Sequence, residues 1–132
     1  MKKTLKFLQD NHTYFLATID GDQARVRPFG AVLEFEGKLY FCTSNQKDVY
    51  KQLKANPKVE VSAYDGKNWW LRTTAIATFD DRKEVKEAML QANPFLNNIY
   101  SLDDGKFTLF YLKDAVSKFE SMAGEEASVE LF

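Results

Sequence analysis

Only one cysteine, Cys42, stands among the 132 residues. An intramolecular disulfide framework is therefore excluded. The single histidine, His12, has polar neighbours that suit a turn or a helix end better than a metal or haem ligand. No group of His, Cys, Asp or Glu has metal-ligand spacing, so no metal is expected. Excess charge is lacking as well: 18 Lys+Arg face 19 Asp+Glu, a formal charge of −1. No general basic field exists to draw the protein onto nucleic acid or an anionic membrane. The chain has neither a signal-peptide pattern nor an apolar run long enough to span a bilayer, and a cytoplasmic location is expected. P-loop and GxGxxG motifs are missing, which argues against a nucleoside-triphosphate or dinucleotide site of the usual kinds. Repeats, low-complexity segments and linkers are absent too, and the length suits one domain spanning residues 1–132.

Aromatic residues are plentiful, at 14% of the chain with 11 Phe. That is a large supply of flat apolar side chains for a small domain, and a partner is expected to cover some of them. "MKKTLKFLQDNH" has Leu5, Phe7 and Leu8 near helical spacing and Thr4 as a candidate cap, which predicts a short N-terminal helix. "TYFLATI" reads as a strand, and Asp-Gly or Glu-Gly pairs at Gly21, Gly37, Gly66 and Gly105 mark turns between or before further strand-like runs. Two amphipathic segments, "NQKDVYKQLKAN" and "DRKEVKEAMLQAN", predict helices that stop at Asn-Pro. About six antiparallel strands joined by tight turns favour a closed or nearly closed barrel, with a β-sandwich as the alternative.

The stretch "RVRPFGAVLEFEGKLYFCTSNQKDVYKQL" carries the chemistry. Arg25 and Arg27 lie two apart on a strand and project together, with Val26 facing the other way. Pro28 cannot donate a ladder hydrogen bond, so the strand is expected to be interrupted or at an edge there, with neighbouring backbone groups left for a ligand. Downstream, Thr43, Ser44, the opening of a helix and Lys47 converge on an anion site suited to a phosphate dianion. Taken singly, Ser44 is more often a helix cap, Lys47 a solvated charge and each arginine half of a surface pair. The combination points to a phosphorylated planar heterocycle, and flavin mononucleotide (FMN) fits. Cys42 alternates with Tyr40 and Ser44 and reads as a small buried residue, and Asp80-Asp81 reads as a helix cap. Trp69 and Trp70 point to opposite faces of a strand, one toward the barrel interior and one toward an interface or a flavin edge.

The series "FLATIDGDQARVRPFG", "GKLYFCTSNQKDVYKQLKANPKVEVSAY", "NWWLRTTAIATF" and "DRKEVKEAML" resembles the pyridoxamine 5′-phosphate oxidase-like FMN-binding split barrels, especially the short general-stress and flavin-reductase-like members. The resemblance covers nearly the whole chain. It implies a mainly β split barrel and a homodimer with two FMN sites at the interface. It also implies that Arg25, Val26, Arg27 and Pro28 meet the ring or ribityl chain, that Thr43, Ser44 and Lys47 meet the phosphate, and that Trp70 lies near the interface or flavin edge.

The ending "EEASVELF" lacks the arginine- and histidine-bearing motif of true pyridoxamine phosphate oxidases, and no histidine matches that of nitroimidazole-reducing relatives. The expected function is a flavin-dependent oxidoreductase acting on a small-molecule electron donor and acceptor. Its catalytic residues and its substrate are not legible. Arg25 is a candidate for stabilising negative charge on the reduced ring. The alternatives are a non-enzymatic flavin-binding or flavin-sensing protein and a deazaflavin-dependent reductase on the same fold.

Overall fold

The computed structural model describes residues 1–132. Along the chain run α1 (Lys2–Asp10), β1 (Tyr14–Asp20), β2 (Gln23–Phe29), β3 (Leu33–Phe35), β4 (Lys38–Ser44) and α2 (Asp48–Ala55). They are followed by β5 (Lys58–Tyr64), β6 (Trp69–Phe79), α3 (Lys83–Ala92), a 3-10 turn (Pro94–Asn98), β7 (Phe107–Ser121) and β8 (Ser128–Leu131). The turns form where glycine permits positive φ: Gly21 at 63° joins β1 to β2, and Glu36 and Gly37 at 51° and 73° make the two-residue link from β3 to β4.

All pairing is antiparallel, in the order β2-β1-β5-β6-β7-β4-β3 with β8 on β7. The outermost strands β2 and β3 do not pair, so the barrel is split rather than closed. The sheet has eight strands instead of about six because the three-residue β3 and the four-residue β8 add to the longer ones. In β7 a bulge opposite Thr74 to Ile76, with Asp114 at φ 52°, bends the long strand. One part of β7 then pairs β6 and β8, and another pairs β4.

The concave side holds the main core, in which Tyr14, Leu16, Phe41, Val61, Leu71 and Phe110 are fully buried, with α1 and α2 closing it. A second core lies under α3, where Val85 and Met89 pack on Tyr40, Leu109 and their neighbours. Ala92, which the helical spacing places on the apolar side of α3, is exposed, and Leu90 is buried in its stead. The convex face of β2, β1, β5, β6 and β8 has no helix over it. Phe15, Val26, Tyr64, Val116, Val129 and Leu131 stand exposed there. Strand alternation puts the two tryptophans on opposite sides. Trp69 turns to the rim beside Phe7 of α1, and Trp70 turns to the bare face, where the Arg72 guanidinium lies 5.3 Å from its ring.

Thr4 is not the cap of α1, whose N-cap is Met1. It lies inside the helix, fully buried; its Oγ1 donates to Glu130 Oε1 at 2.5 Å and is hydrogen-bonded to Ser117 Oγ at 2.7 Å. Glu130, on β8, is the group that meets the free amides of the first turn. It accepts from Lys3 N at 3.0 Å and Thr4 N at 2.9 Å and pairs with the terminal ammonium at 2.9 Å. Burial raises the Glu130 carboxyl, but the hydrogen bonds from Thr4 and the ammonium outweigh it and hold it at about 2. A carboxyl depressed below its ordinary value stabilises the fold fully above about pH 4.5. That contribution fades as pH falls toward 2. Glu130→Gln should therefore lower stability by about 1.5 to 3 kcal/mol at pH 7 and by little at pH 2 to 3. Urea unfolding across that range checks it, and an equal loss at both pH values would count against the clamp.

Asp80 and Asp81 do not cap α3 with their side chains; the N-cap is Arg82. Asp80 instead accepts from the Tyr40 hydroxyl at 2.8 Å and from Arg82, and Asp81 accepts from Thr108 Oγ1 at 2.6 Å. Both tie the start of α3 to the sheet beneath it.

Candidate functional site

Strand β2 pairs only with β1, so its outer row of backbone groups stays unpaired. Across an open cleft lie the end of β4, the start of α2 and the 3-10 turn. One part of this cleft, about 720 Å³, is bounded by Arg25, Val26, Arg27, Lys47 and Gln52. The adjoining part, about 180 Å³, is bounded by Pro28, Cys42, Thr43, Phe95, Ile99 and Tyr100. Arg27, Lys47 and Val49 belong to both. The structure thus brings together Arg25, Val26, Arg27, Pro28, Thr43 and Lys47, all six singled out in the sequence.

Ser44 does not join them. Helix α2 begins at Asp48, later than the sequence suggested, because Asn45 to Lys47 form a turn. Ser44 Oγ accepts from Gln46 N at 3.1 Å within that turn, and its O–H is not used by the protein. Trp70 does not join them either. Strands β1 and β5 separate it from β2, and it sits on the bare face, so within its own chain it is remote from the cleft. Sequence reading missed Gln52, Phe95, Ile99 and Tyr100. The first lies on the polar side of an amphipathic helix, and the other three lie in a short turn without periodicity.

Arg27 is the electrostatic centre. Register with Leu16 turns it to the concave side, where Nη1 donates to Leu16 O at 3.2 Å and Thr18 Oγ1 at 2.7 Å, and Nη2 donates to Gln52 Oε1 at 2.6 Å. All three acceptors are neutral. A guanidinium has five N–H donors, so Nε–H and one Nη2–H remain free. Burial pulls the Arg27 guanidinium below its usual range and nearby Asp48 pushes back; it stays charged. Lys47 makes no salt bridge and stands exposed at the same corner. The amides opening α2 have no side-chain cap. Arg25 differs, because Nε pairs with Asp20 at 3.1 Å and its charge is already met. Thr43 is buried, yet its hydroxyl has no protein partner. Burial pushes the Cys42 thiol up to about 12, against the pull of Lys47, so it is no nucleophile at neutral pH.

A split antiparallel barrel with a basic, half-apolar cleft beside an unpaired strand edge has the shape and charge that suit an anionic, partly planar small molecule. The chain belongs to the pyridoxamine 5′-phosphate oxidase family, whose model matches residues 1–121. It is 46% identical to a NimC/NimA family protein of Clostridium acetobutylicum, with a TM-score of 0.96 over 100% of this chain and 92% of that one. General stress protein 26 of Bacillus anthracis has the same fold at 16% identity and a TM-score of 0.76, covering 99% and 97% of the two chains. So does a pyridoxamine 5′-phosphate oxidase-related, FMN-binding protein of Nostoc punctiforme, at 16% identity and a TM-score of 0.70, covering 99% and 95%. No curated protein matches the chain in sequence. No helix is long and apolar enough to cross a membrane.

Proposed function

We propose that this protein binds FMN in the cleft beside β2, works as a homodimer, and is a flavin-dependent oxidoreductase. The observation that carries the reading is the positive charge of Arg27, which makes no salt bridge and is fixed by neutral acceptors next to unpaired Lys47. A phosphate dianion is the complement of that corner. The other end of the cleft is built from Pro28, Phe95, Leu96, Ile99 and Tyr100, flat or apolar groups that suit a heterocyclic ring. Family membership and the FMN-binding neighbour support the same cofactor.

FMN, when bound, supplies two-electron transfer between a donor such as a reduced nicotinamide and an acceptor. The chain's residues hold and orient it: Arg27 and Lys47 at the phosphate, Thr43 through its free hydroxyl, and the β2 backbone along the ring. The dimer reading rests on the helix-free convex face, where Phe15, Val26, Tyr64, Val116, Val129 and Leu131 are exposed among Glu60, Arg72, Lys118 and Glu120. Its occupant is a second copy, whose Trp70 would then stand at the contact.

A second reading, flavin binding without turnover, is favoured by the cleft's lack of an evident proton-transfer group: Cys42 sits at about 12 and burial also raises Tyr100. The absorption spectrum of the purified protein tests the cofactor, and oxidation of a reduced nicotinamide by the flavin-loaded protein separates the two readings. Flavin bands with turnover support the oxidoreductase, flavin bands alone support the binder, and a colourless protein that takes up no FMN removes both. Lys47→Ala should weaken FMN binding by about tenfold and riboflavin binding hardly at all, because only FMN has the phosphate. Fluorescence titration of both ligands checks this, and equal losses would place Lys47 elsewhere.

A further inference from the structure

We infer that Tyr100 is a further cofactor-binding residue, its hydroxyl donating a hydrogen bond to an acceptor on the edge of the bound flavin ring; this rests on the flavin reading above. Three tyrosines are buried, and two have their hydroxyls satisfied. Tyr14 donates to Ala31 O at 2.6 Å and Tyr40 donates to Asp80 Oδ2 at 2.8 Å. Tyr100 is 9% exposed and its hydroxyl has no protein partner. The one fully enclosed side-chain polar atom without a hydrogen-bond partner is Glu120 Oε2, on the other face of the sheet, 3.6 Å from the Arg72 guanidinium. The Tyr100 hydroxyl therefore has an opening, and the cleft it lines with Arg27, Thr43 and Lys47 is that opening.

The phenol is held in place for a ligand. Its ring stacks on Phe107 with centroids 4.8 Å apart and planes at 27°, and its backbone N–H bonds to Leu96 O at 2.8 Å. A buried hydroxyl left unpaired costs stability, and a bound acceptor removes that cost. The phosphate is not that acceptor. The cationic groups lining this part of the cleft are Arg27 and Lys47, whereas the segment that carries Tyr100 offers only Phe95, Leu96 and Ile99 alongside it. Burial, Cys42 and Asp104 all raise the phenol, so it stays protonated and acts as a donor.

Tyr100→Phe keeps the stacked ring and removes only the hydroxyl, so the apo variant should unfold at or above the wild-type temperature. In calorimetric titrations it should lose about three- to tenfold in affinity, the size of one neutral hydrogen bond. The loss should be equal for FMN and riboflavin, because the contact is to the ring. If wild type binds both ligands and the variant matches it, the inference fails while the flavin reading stands. If the variant weakens FMN alone, Tyr100 serves the phosphate and the inference is overturned. If wild type binds neither ligand, the flavin reading itself fails.

Discussion

Arg27→Ala is expected to lower FMN affinity by about tenfold to a hundredfold, the equivalent of about 1.5 to 3 kcal/mol for a charge-assisted hydrogen bond. The effect follows from how the side chain is held. Three of its donors are spent on Leu16 O, Thr18 Oγ1 and Gln52 Oε1, which fix the plane of the guanidinium, and the free Nε–H and Nη2–H are left for an anion. Arg27→Lys should recover only part of the loss, since an ammonium keeps the charge but cannot hold the planar fork. The apo fold should change little. Thr18 Oγ1 also donates to Gln52 Oε1 at 2.6 Å, and that bond survives the substitution. An ordinary surface arginine would behave otherwise, altering FMN affinity by less than the error of the titration. Calorimetry on wild type and both variants decides, and three equal affinities would remove Arg27 from the site.

Val26→Asp is expected to convert a dimer into a monomer. Val26 is 67% exposed and stands in a row with Ala17, Glu60, Thr74 and Val116 across the bare face, so an aspartate there is harmless to a single chain. Buried in a contact between two copies, the same aspartate becomes an unpaired charge, because the one charged residue in its row, Glu60, is also acidic. The cost is at least about 3 kcal/mol, more than a hundredfold in the dimer's dissociation constant. Light scattering should give twice the 15.2 kDa chain mass for wild type and one chain mass for the variant. If the cleft is completed across the dimer, FMN affinity falls with it. A flavin-loaded wild-type monomer would sink the dimer.

Much of this was legible in the residues. The glycine turns, the two helices ending at Asn-Pro and the long strands each carry a local signal strong enough to survive folding: positive φ, a missing N–H, or a clean period. Thr43, Lys47, Arg25 and Arg27 could be picked out because the strand and the helix they stand on each orient side chains by a known rule. What failed depends on distant partners. Thr4 resembles a cap until Glu130, 126 residues away, is seen to take that role. The start of α2 reads as lying at Ser44, but a turn over Asn45 to Lys47 intervenes and the helix opens at Asp48. Strand β8 is too short to announce itself, and its pairing is decided by β7. Tyr100 lies in "PFLNNIYSLDD", which has no period, and reaches the cleft only because α3 and the 3-10 turn fold over β4 and β7.

The most direct test of a phosphate-binding flavin cleft is a pair of calorimetric titrations, FMN and then riboflavin into the apo wild-type protein. If Arg27, Lys47 and the amides of α2 hold the phosphate as proposed, FMN should bind at least about tenfold more tightly than riboflavin. Equal affinities, or no binding of FMN, would contradict it.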